Sequence, residues 1–117
     1  MPEKIKDDDQ LLRRIQFLHP NFIKPDGTPA SSSFSLKKGE DGLSVDIERL
    51  TSYKKSILDI SRFRLFAVNA GFVRSIELTP EHNPLADNPA HGLIKGSISR
   101  GKAKKLARNS VRVNYPD

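Results

Sequence analysis

The residues best equipped for chemistry fall in one short stretch, "HNPLADNPAHGLIKG", residues 82 to 96. It holds His82 and His91, two of the three histidines in the chain, together with two Asn-Pro steps and Asp87. Asn88-Pro89 fixes the approach of the backbone to His91, and Gly92 leaves room beside the imidazole. A ring held in this way, with a pKa near neutrality, meets the usual needs of acid–base catalysis. The same geometry equally serves a histidine that caps a turn. Two histidines and a cation can cleave a phosphodiester: one is the base, the other the acid, and the cation stabilises the phosphorane. In that scheme His91 acts with His82 or His19, Asp46 is an orienting carboxylate, and Lys95 or Arg100 meets the phosphate.

Other chemistries find less support. The chain has no GxxxxGK[ST], no strand-linked GxGxxG, no HExxH and no GxSxG. A zinc site built from His19, His82 and His91 has none of the spacings of a compact metal centre, so no metal and no other cofactor is expected. Ser31, Ser32 and Ser33 lead into an expected strand, where serines commonly serve as loop or cap residues rather than nucleophiles. Cysteine is absent, which excludes disulfides and thiolate ligands.

Charge supplies the second signal. The net charge is +6; residues 1–48 carry seven Lys or Arg against nine Asp or Glu, and residues 49–117 carry thirteen against five. The run "KGSISRGKAKKLARNSVR" has seven basic residues and no acidic one. Such asymmetry favours an anionic partner: RNA or DNA first, an acidic protein surface second. Within it, Ala103, Leu106 and Ala107 give a narrow apolar stripe, while Arg100, Lys102, Lys104, Lys105 and Arg108 surround it. A helix of this kind could lie along a phosphate backbone and bind without reading sequence. It lacks bulky apolar residues for entering a membrane interface, and few aromatics are available for stacking bases.

These groups need a scaffold, and the 117 residues suit a single small basic α+β domain with a mainly antiparallel sheet and about three helices. The 3.6-residue spacing of Leu11, Ile15 and Leu18, with Asp8 or Asp9 as cap, predicts a helix over 8–18. Further helices are expected over 52–62 and 100–109, the latter capped at Ser99, and a short helical turn at "FAVNA". Alternating apolar residues predict strands over 33–37, 43–48, 72–78, 93–98 and 111–115, the first two joined as a hairpin. No signal peptide or membrane-length apolar run is visible, so a soluble cytoplasmic protein without membrane attachment is the expectation. Two functions follow as alternatives: a small binding or accessory protein for an anionic partner, chiefly nucleic acid, or a metal-independent phosphodiesterase, ribonuclease or phosphoryl-transfer enzyme.

Overall fold

The computed structural model describes residues 3–18 and 21–114. His19 and the last residue of the expected 111–115 strand lie outside them. Six strands form one antiparallel sheet: β1 (Gln10–Gln16), β2 (Leu43–Ile47), β3 (Phe63–Asn69), β4 (Thr79–His82), β5 (His91–Lys95) and β6 (Val111–Val113), in the spatial order β4-β5-β2-β1-β3-β6. Three helices complete it: α1 (Tyr53–Ile57), α2 (Ala70–Ser75) and α3 (Arg100–Asn109). This is the expected α+β class, though several elements differ from those the sequence suggests.

The largest difference is at the start. Residues 8–18 do not form a helix: "QLLRRIQ" is β1, a central strand paired with β3 along its whole length. Leu11 and Ile15 enter one core while Leu12 enters another on the opposite face. A strand covered on both faces loses strict alternation, and this one imitates a helical stripe. Leu18, which completed that stripe, is 73% exposed. Asp9 is no helix cap; it accepts hydrogen bonds from the Lys6 N–H at 2.8 Å and from Arg49 Nε at 2.9 Å.

Residues 31–34 form a 3-10 turn, not a strand. Its serines bond back to loop carbonyls, Ser32 to Asn21 and Ser33 to Phe22, so side chains compete with a ladder. The hairpin 33–37/43–48 is therefore absent, and β2 pairs with β1 and β5. In 63–78 strand and helix are exchanged. "FRLFAVN" is β3, and the Asn69 side chain accepts from Phe72 N–H at 3.1 Å to open α2 across 70–75. The helix in 52–62 is confined to 53–57, stopped at Leu58 by a φ of 61°. β5 begins two residues early and ends at Lys95, and β4 arises where a loop was expected. α3 falls where periodicity put it, and β6 starts at Val111 as expected but ends at Val113.

The main core joins one sheet face to α2, α3 and the 3-10 turn, through Leu11, Phe34, Leu43, Ile47, Val68, Ile94 and Leu106. Each fully buried Leu, Ile or Phe contributes about 1.5–3 kcal/mol. A smaller core of Leu12, Ile57, Leu65 and Ala67 covers part of the other face beneath α1.

Candidate functional site

Period-two alternation in β5 decides where His91 points. Gly92 and Ile94 are buried on the main-core face, so His91, Leu93 and Lys95 project from the other. Asp46 is the cross-strand partner of His91 and shares its face. Gly92 is needed for close packing rather than for room beside the ring: a Cβ there would stand 3.0 Å from the Glu81 carbonyl oxygen.

His91 Nδ1–H donates to the Asn83 carbonyl at 2.9 Å, which leaves Nε2 as the acceptor facing Ser44 Oγ at 3.4 Å. Asp46 makes no hydrogen bond to the ring. Its buried carboxylate accepts from Ser56 Oγ at 2.7 Å and Asn88 Nδ2 at 2.9 Å, with Arg14 Nη1 at 3.9 Å. Asp46 thus ties the 83–90 loop to the sheet and positions His91 through Asn88, whose carbonyl accepts the His91 N–H at 3.2 Å. Around His91 lies a notch of about 80 Å³, lined by Leu12, Arg13, Arg14, Ser44, Asp46 and Asn88 among others. That space suits a few waters, at roughly 30 Å³ each.

His82 is not beside it. Its register partner is Gly92, so its ring projects from the opposite face of the sheet. There it is 7% exposed, accepts the Glu3 N–H on Nδ1 at 2.7 Å and donates from Nε2 to the Pro89 carbonyl at 2.7 Å. Both ring nitrogens are engaged with backbone, so His82 and His91 do not form an acid–base pair across one cleft. His19 lies outside the described residues. Among the described residues no three His, Asp or Glu side chains stand together as a metal-holding group.

The cations separate as well. Lys95 lies between Asp41 at 3.2 Å and Glu81 at 3.3 Å; hydrogen bonds to these carboxylates, Asp41 first, raise its pKa. Arg100, Lys104 and Arg108, four residues apart, occupy one flank of α3 and with Lys24 line a groove of about 450 Å³ against residues 28–31. No acidic residue lines it, and none of these four cations makes an ion pair with another described residue. Lys102 and Lys105 do not line the groove. The Ser99 hydroxyl accepts from Lys102 N–H at 3.2 Å and caps the helix as expected.

Three basic residues escaped the sequence reading. Arg13 and Arg14 line the His91 notch because β1 is a strand, and Lys24 reaches the groove from the 21–30 loop. Strand geometry sends the two neighbours to opposite faces, so Arg14 shares the face of Asp46 and His91 while Arg13 borders the notch from the β1–β2 opening. No protein-family model, curated protein or solved structure matches the chain, so its fold and chemistry rest on its own geometry.

Proposed function

We propose that the protein binds nucleic acid through phosphate contacts in the α3 groove. The observation that supports this is the stripe of Arg100, Lys104 and Arg108 facing Lys24 across a groove with no acidic lining residue. Unneutralised exposed cations attract a polyanion and release its counterions on contact, which gives affinity without base readout. The described surface has no aromatic stacking platform in that groove, so phosphates carry the interaction. Among the described residues no helix is long and apolar enough to cross a membrane.

Fluorescence anisotropy with single-stranded and duplex oligonucleotides, titrated over a range of salt, tests the reading. Four phosphate contacts give a slope of log K against log salt of about −3 to −4. Lys104→Ala should reduce the slope magnitude by about 1 and weaken all sequences alike. Lys105→Glu, outside the groove, should act less than Lys104→Glu or Arg108→Glu. Absence of association at low salt removes the proposal, and equal binding of polyglutamate redirects it to an acidic protein partner. The enzymatic alternative, phosphodiester cleavage or phosphoryl transfer, would have to use His91 with Arg13 and Arg14 rather than with His82. Its test is turnover that His91→Ala abolishes.

A further inference from the structure

The sheet has a gap near its middle. Pairing between β1 and β2 covers only Leu11↔Ile47 and Leu12↔Asp46, although β1 continues to Gln16 and β2 begins at Leu43. Beyond Leu12 the two strands diverge, and the Arg13 side chain occupies the opening. Its Nε donates to the Ser33 carbonyl at 3.0 Å and its Nη1 to the Ser44 carbonyl at 2.9 Å, so a guanidinium stands where a ladder bond would otherwise fall.

Arg13 makes no ion pair among the described residues. Burial pushes its pKa below the usual arginine range; the charge of Glu40 opposes this and that of Arg14 adds to it. Arginine nonetheless stays protonated in proteins, so a fixed, partly desolvated positive charge has no carboxylate in direct contact, Glu40 acting only from a distance. A charge of this kind is costly until an anion meets it. Beside it opens a cavity of about 270 Å³, lined by Arg13, Arg14, Gln16 and Lys37 among its polar groups and by Ile15, Phe22 and Phe63 as apolar ones. Lys37 makes no ion pair either, while Phe63 lies beneath the guanidinium groups of Arg62 and Arg14 at 5.0 and 5.6 Å.

We propose that this cavity binds a small organic oxyanion, a carboxylate or phosphate monoester, whose acid group meets Arg13 and Lys37 and whose apolar body lies against Ile15 and Phe22. With Nε and one Nη1 hydrogen held by carbonyls, the Nη1–Nη2 end of the guanidinium is the fork left for a two-oxygen acceptor. The volume falls just below the roughly 300–1,000 Å³ of pockets for drug-sized ligands, which selects a small molecule over a polymer segment. The site is separate from the α3 groove: the 3-10 turn stands between them, giving Ser31 to the groove and Ser32 and Ser33 to the cavity. It therefore does not depend on the nucleic-acid reading.

The test is NMR titration of the full chain with benzoate, phenyl phosphate and inorganic phosphate, following backbone amides and the Arg13 Nε–H. Saturable shifts at Arg13, Gln16 and Lys37 are expected, with Kd at or below about 1 mM for the better organic anion. Tighter benzoate identifies a carboxylate ligand, and tighter phenyl phosphate a phosphate monoester. Arg13→Lys should weaken binding about tenfold, because an ammonium lacks the fork. Lys37→Ala, on an exposed residue whose loss leaves the fold intact, should weaken it several-fold. Lys104→Ala should leave anion binding unchanged while lowering oligonucleotide affinity. Three results overturn the proposal: no saturable shift up to about 10 mM, shifts confined to the α3 groove, or wild-type affinity in both the Arg13→Lys and Lys37→Ala variants.

Discussion

The α3 groove and the β1–β2 gap are both positively charged, yet they hold their charge in different ways. In the groove, Arg100, Lys104 and Arg108 stand on an exposed helix flank, where water and salt screen them and their side chains can adapt. In the gap, two backbone carbonyls fix one guanidinium between diverging strands. The first arrangement suits a long polyanion with many interchangeable phosphates. The second suits one acid group in one geometry. The number of cations says little about what a site selects; the stiffness of their support decides it.

The largest effect that would sharpen this contrast comes from Asp46, whose carboxylate joins Ser56, Asn88 and Arg14 beside the gap. Asp46→Ala leaves these polar partners short of an acceptor and should cost about 2–3 kcal/mol in urea denaturation. Arg108→Ala in the groove should stay within about 0.5 kcal/mol by the same measurement. Equal losses from both would erase the distinction between a stiff and an adaptable support.

Ser99→Ala comes next. It removes the cap of α3 and should cost about 1 kcal/mol. Hydrogen exchange should quicken at the first amides of α3, oligonucleotide affinity should fall, and amides around Arg13 should be unaffected. Spread of the perturbation into β1 would show that the two regions are one mechanical unit.

The most gradual effect is the response to acid. Burial tends to raise the pKa of Asp9, but hydrogen bonds from Lys6 N–H and Arg49, with the charges of Arg49 and Lys6, outweigh it and hold the carboxyl below its ordinary value. A carboxyl lowered on folding stabilises fully above its unfolded pKa of about 3.9 and loses that contribution as pH falls through the folded value. Stability should therefore decline below about pH 4, with the start of β1 loosening, and Asp9→Asn should flatten the decline. An identical acid profile in Asp9→Asn would remove Asp9 from this account.

The α+β class and two of the strands, β2 and β6, could be read from the chain, and the principal errors, at β1 and β3, have a common cause. Alternation placed β2 and β6 well because β2 has one polar and one apolar face at Ser44 and Val45, and β6 is a simple edge strand. α3 was legible because its cap, its apolar stripe and its charges agree. β1 and β3 misled because both faces of a central strand are covered, so Leu11 and Leu12 are both core and neither periodicity is clean. The candidate site residues followed those errors. His91 could be singled out from its loop, but the separation of His82 needed the register with Gly92. Arg13 was invisible as a site residue while its segment read as a helix.

β1 has a further consequence, for the order in which the molecule can assemble. It precedes both of its partners, β2 and β3, in the chain and occupies an interior place in the sheet, so every neighbour it requires is made later. Its longest partner, β3, starts at Phe63, dozens of residues after Gln16. At about 5–20 residues per second, translation leaves Leu11, Leu12 and Ile15 without a mate for seconds. Because the ladder with β2 spans only two residue pairs, the arrival of β2 does little to shelter them. Pairings so distant along the chain are slow to close, and this leaves the apolar segment that carries Arg13 unpaired while its partners are made.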